Sequence, residues 1–144
     1  MLKYSLLIFS LILLNSCYSN SSNAKYDYAY GEGGYSPQTI TFSDSLNQEM
    51  AVSGAAIFNS KCSSCHKTSE EKLIGPGLED ITKRRTPYWI MNFISNPAPM
   101  IDKDTTLHKL VQLCLVEMPD VHLEESEVRD IFEFFRFLDK QNER

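Results

Sequence analysis

The sequence predicts an all-α domain of about four helices, and three stretches carry that prediction. Thr86 to Pro97 reads as a helix with Pro87 near its start and Pro97 just beyond its end. Leu107 to Val116 places Leu107, Leu110, Val111, Cys114 and Leu115 on one side of a second. Leu123-Glu124-Glu125-Ser126-Glu127 opens a last helix, on which Val128, Ile131, Phe132, Phe134, Phe135 and Leu138 form a broad apolar face. A length of 144 residues suggests one domain and excludes a large multidomain enzyme. With 42% hydrophobic and 23% charged residues, both wholesale disorder and a multispanning membrane protein are disfavoured. A net charge of −5 and a pI near 5.2 argue against nucleic acid as a partner.

In chain order, the first element is an address. Lys3 precedes a nearly continuous apolar run from Ser5 to Leu14, the layout of a secretory signal. It ends in Leu14-Asn15-Ser16-Cys17, which resembles the lipobox of bacterial lipoproteins. That resemblance implies cleavage after residue 16 and acylation of Cys17, which would anchor the mature chain to the periplasmic side of a bacterial membrane. An ordinary cleaved signal ahead of a free periplasmic protein is the alternative reading. Residues 17–45 are rich in Ser, Asn, Gly and Tyr and read as a flexible tether with a root-mean-square reach of about 30 Å. The tyrosines at 26, 28, 30 and 35 also allow an extended arm packed on the domain. The domain itself is expected over residues 46–144.

Cys62-Ser63-Ser64-Cys65-His66 is a CxxCH motif, the attachment signature of c-type haem. Two thiols three positions apart can join the two vinyl groups of one porphyrin, and the adjacent histidine is placed to ligate the iron. A thioredoxin-like pair would follow a strand and needs no histidine. A zinc site would need two more ligands, and Cys114, His108 and His122 show no paired spacing. A domain of roughly 95 residues is also small enough to need a cofactor as a staple.

The flanks of the motif identify a family. Gly54 and Phe58, eight and four positions before Cys62, together with Ile74-Gly75-Pro76-Gly77-Leu78 after it, resemble the class I, mitochondrial-type, cytochromes c from Val52 to Lys140. The resemblance implies a small cytochrome c fold of about four helices wrapped around one covalent haem c. Gly54 and Phe58 would share a helix face and meet the last helix, best at Ile131 and Phe134. The Pro76 carbonyl would accept a hydrogen bond from His66, fixing the imidazole tautomer. Met118 would be the sixth ligand of the iron, ahead of Met91, Met100, His108 and His122. Arg84, Arg85 and Trp89 are candidates to bind the haem propionates, and Cys114 reads as a buried, inert thiol.

Together these features imply a monomeric, membrane-anchored one-electron carrier rather than an enzyme. It would take electrons from a membrane or periplasmic donor and pass them to a terminal oxidase or reductase. A haem-bearing subunit of a larger complex, and a ligand-binding sensor or peroxidase-like protein, are the alternatives. Residues 61–85 carry a local charge of +2 on an acidic chain. Lys61, Lys67, Lys72 and Lys83 are therefore expected to steer an acidic redox partner.

Overall fold

In a computed structural model the described residues are 25–143, and among them there are helices and no strands. The signal 1–16 and Cys17 lie outside the described residues. Six helices follow in order: α1 (Gln48–Lys61), α2 (Ile81–Arg84), α3 (Pro87–Ser95), α4 (Pro97–Lys103), α5 (Thr105–Cys114) and α6 (Glu125–Gln141). The all-α expectation holds, with two more helices than expected. Pro97 lies just beyond the end of α3 as expected, and it is also the first residue of α4, where a missing N–H costs nothing and the ring presets φ. The short α2 offers no periodic pattern for the sequence to reveal.

Helices α1 and α6 form the principal pair. Gly54 is buried against α6 so closely that a Cβ there would run into the Asp130 carbonyl. One turn on, the Phe58 ring lies 5.5 Å from that of Phe134 and 6.1 Å from that of Phe135. A small residue thus brings the backbones together, and aromatic rings fill the space beside the contact. Polar bonds fix the register at both ends of this crossing. Ser53 Oγ donates to Asp130 Oδ2 at 2.7 Å, and Lys61 Nζ lies 3.3 Å from Glu127 Oε2. The same Glu127 carboxylate accepts the Glu124 N–H at 2.9 Å, capping α6 at its start. That backbone bond, followed by Lys61, holds the Glu127 carboxyl below its ordinary range. At the far end of α6, buried Asp139 accepts from Thr82 N at 2.8 Å and Thr82 Oγ1 at 2.6 Å, fastening α2.

The composition of residues 17–45 suggested a tether, and over 25–45 the structure corrects this. Those residues lie along α3 and α4 as an arm. Asn92, only 2% exposed, donates through Nδ2 to the carbonyls of Tyr30 and Tyr35, both at 2.9 Å, and accepts the Tyr35 N–H at 2.9 Å. One side chain therefore uses both donor hydrogens and its carbonyl to grip the arm. Ile40 joins the core, and Phe42 packs between the rings of Tyr88 and Phe132. Gly31, at φ 73°, passes where a Cβ would strike the Met100 side chain. These contacts supply the burial that a polar composition did not advertise.

Candidate haem-binding site

Helix α1 ends where the motif begins. Cys62 is its C-cap, with its N–H on the Phe58 carbonyl at 2.8 Å. The Cys62 carbonyl then accepts from Cys65 N at 3.0 Å and His66 N at 2.9 Å, curling the motif into one further turn. This turn delivers both thiols and the imidazole to a single cavity of about 440 Å³. That volume lies within the range of about 300–1,000 Å³ common to small-molecule and cofactor pockets. Burial pushes the Cys62 thiol upward, and Lys61 partly opposes it. Among the described residues Cys62, Cys65 and Cys114 are all free thiols.

The loop after the motif returns beneath the imidazole. Gly75 N donates to the Cys65 carbonyl at 2.8 Å, and Leu78 N to that of Lys67 at 3.0 Å. A Cβ at Gly75 would collide with the His66 ring, so only glycine lets the backbone pass there. The result is a distance of 2.9 Å from His66 Nδ1 to the Pro76 carbonyl oxygen. A carbonyl can only accept, so Nδ1 carries the proton and Nε2 keeps its lone pair.

The far wall of the cavity comes from α5 and the segment after it. Leu115 ends α5 in a left-handed conformation, φ 60°, with its N–H on the Val111 carbonyl at 2.8 Å and its side chain 90% exposed. The turn redirects the chain so that Val116, Glu117 and Met118 line the cavity. Among the described residues, His66 and Met118 are the histidine and the methionine that line it; Met50, Met91, Met100, His108 and His122 do not. Met91 and Met100 are fully buried elsewhere in the core. Cys114, expected as a buried thiol, is instead half-buried on the cavity wall, because the last turn of α5 faces the opening.

The three propionate candidates are not equivalent. Arg84 is engaged with backbone carbonyls, its Nη2 lying 3.2 Å from Gly77 O and 2.9 Å from Glu79 O. The Arg85 side chain forms no hydrogen bond or ion pair among the described residues, and its guanidinium lies 4.5 Å from the centre of the Trp89 ring. Trp89 is 5% exposed, and its buried indole N–H has no hydrogen-bond partner. Both residues line the cavity. The indole nitrogen is closed off from the cavity, so the site for a carboxylate here is the Arg85 guanidinium.

Behind them lies a group that the sequence did not reveal. Asp104 is 0% exposed and caps α5, its Oδ1 accepting from Thr106 N at 2.8 Å. Its Oδ2 lies 3.4 Å from the Tyr26 hydroxyl of the arm. Burial, then Asp104, push the Tyr26 phenol up to about 12, while Trp89 and Arg85 act weakly in the other direction. The indole thus stands close enough to influence the phenol, yet the geometry between them is not that of a hydrogen bond. Asp104 precedes Thr105 in the pattern of an N-cap, the one signal that could have marked it.

The lysines expected to dock a partner are largely engaged within the chain. Lys61 pairs with Glu127, Lys67 with Glu71 at 2.7 Å, and Lys83 with Asp80 at 3.1 Å and Glu143 at 3.4 Å. Lys72 has no ion pair among the described residues.

The residues on this wall fit a c-type haem. They comprise two thiols, an imidazole with a fixed tautomer, a thioether, and a guanidinium free to meet a carboxylate. The comparisons agree. The family described as cytochrome c matches residues 51–139. The solved cytochrome c from Rhodothermus marinus is 35% identical, with a TM-score of 0.68 over 71% of this chain and 87% of that one. An engineered cytochrome c from the same organism, bound to a carbene intermediate, is also 35% identical, with a TM-score of 0.63 over 70% of this chain and 87% of that one. No curated protein matches the chain. Motif, cavity and comparisons agree that the chain belongs to the cytochrome c family, whose members are haem-based electron carriers.

Proposed function

We propose that this protein is an exported, lipid-anchored monohaem cytochrome that moves single electrons between a membrane or periplasmic donor and an oxidase or reductase. The observation that carries the reading is the meeting of His66 and Met118 on one largely apolar cavity. When bound, the haem supplies the reversible one-electron iron couple. Cys62 and Cys65 would hold it through thioethers, His66 Nε2 and Met118 Sδ would ligate the iron, and Arg85 would hold a propionate. The Pro76 carbonyl keeps the proton on Nδ1 and so strengthens Nε2 as a donor. Met118, a soft ligand, favours the ferrous state and raises the potential. The apolar wall excludes water, which reduces the reorganisation that accompanies a change of charge. Cys17, outside the described residues, would tie the chain to the membrane.

A potentiometric titration of the holoprotein tests this reading. A single wave of one-electron slope is expected, and the ferrous form should stay unreactive towards carbon monoxide at neutral pH. Carbon monoxide binding within the mixing time would instead favour a ligand-binding sensor or a peroxidase-like protein.

A further inference from the structure

The arm grips the cavity wall beside the residue proposed to meet the haem carboxylate. Trp89 sits in the first turn of α3, and the arm holds α3 on both sides of it. Before it, the α3 cap Thr86 accepts the Trp89 N–H at 3.2 Å through Oγ1, and the same hydroxyl donates to the Ala29 carbonyl of the arm. After it, Asn92 makes its three bonds to Tyr30 and Tyr35. Between these grips, Gly31 is seated on the indole edge, where a Cβ would stand 3.4 Å from Trp89 Cδ1. A Cβ at Gly33 would likewise collide with the Asn92 side chain. The Tyr26 hydroxyl reaches buried Asp104, which caps α5, and Leu107 of that helix lines the cavity. On the cavity side of this assembly, the Arg85 guanidinium stacks on the Trp89 ring and its side chain has no hydrogen-bond or ion-pair partner among the described residues. The arm contacts thus fix the Trp89 ring and, through it, the guanidinium stacked upon it. The arm also lies before residue 51, where the family match begins.

We infer that the N-terminal arm is a positioning element: through Tyr26, Ala29, Gly31 and the Asn92 clamp it holds the Trp89 ring, and with it the Arg85 guanidinium stacked on that ring, in place for the haem carboxylate, and so tunes the iron's reduction potential. The inference rests on the haem reading above. Arg85 would touch the cofactor, whereas the arm residues act through the Trp89 ring. With the arm in place, water is kept from this corner and the carboxylate is met by a guanidinium held on a fixed ring. With the arm released, water competes for it, the polarity around the iron rises, and the more highly charged ferric state gains.

Trp89 is the sole tryptophan, so one indole N–H resonance reports on it without ambiguity. Asn92→Ala holoprotein should show roughly tenfold faster exchange of that proton in the diamagnetic ferrous state, as expected for the loss of a clamp of about three hydrogen bonds. Its midpoint potential should fall below that of wild type, while the haem stays covalently bound and the sulfur–iron band is unchanged. Tyr26→Phe, which removes one oxygen, should shift both readouts in the same direction by less, and it serves if Asn92→Ala does not fold. An arm shown by limited proteolysis to be released, with the potential and the indole exchange both unchanged, would overturn the inference. Wild-type protein without covalent haem would instead overturn the haem reading on which it rests.

Discussion

Gly54→Ala should destabilise the protein by about 2 kcal/mol or more, because the new methyl has nowhere to go. Two effects compete. Alanine improves the helix propensity of α1 by about 1 kcal/mol. Against that, the Cβ would overlap the Asp130 backbone carbonyl, with the Asp130 carbonyl carbon and the Ile131 nitrogen also inside contact distance. A flexible side chain could step aside, but the α6 backbone cannot without moving the whole crossing. Overpacking of this kind costs about 1–3 kcal/mol and occasionally more, and rigid backbone places the site at the upper end. For a domain of about 100 residues the net of about 2 kcal/mol should lower the melting temperature by roughly 8–16 °C, since each kcal/mol is worth about 4–8 °C. Equal or greater stability of Gly54→Ala in thermal denaturation would show that the α1–α6 contact has room for a methyl group.

Met118→Ala should leave the fold standing and change the electronic properties of the haem. The residue lies outside the helices and is half-buried, so the loss of packing is modest. Removing the thioether should abolish the sulfur-to-iron charge-transfer band and lower the potential by on the order of 0.1–0.3 V, within the span of about 0.8 V that axial ligands control. The vacated position should also bind carbon monoxide in the ferrous state. A variant that keeps the band and the potential would place the sixth ligand elsewhere.

The sequence revealed the site better than the scaffold around it. Cys62, Cys65 and His66 are contiguous, and Gly75-Pro76-Gly77 performs its task through backbone geometry, so local spacing carries most of their meaning. That Met118 comes to the cavity wall was legible from its place just before α6. The arm was not, because its burial comes from partners distant in sequence: Asn92 bonds 57 and 62 residues back to Tyr35 and Tyr30. Its four tyrosines, Ile40 and Phe42 were the available signal, diluted among Ser, Asn and Gly. Arg84 and Arg85 are adjacent and chemically identical, and only the fold separates the one held by carbonyls from the one left free. The exposure of the Cys114 thiol depended likewise on how α5 is rotated against the cavity.

The central claim is that this chain carries one haem bound through Cys62 and Cys65. The most direct test is to express it with a c-type maturation system, denature it in acidified organic solvent and weigh the polypeptide. The colour should stay with the protein, and its mass should exceed that of the apoprotein by one haem; the Cys62→Ala, Cys65→Ala double variant should lose both. Haem that extracts into the solvent, or a colourless chain with Cys62 and Cys65 joined as a disulfide, would contradict the claim.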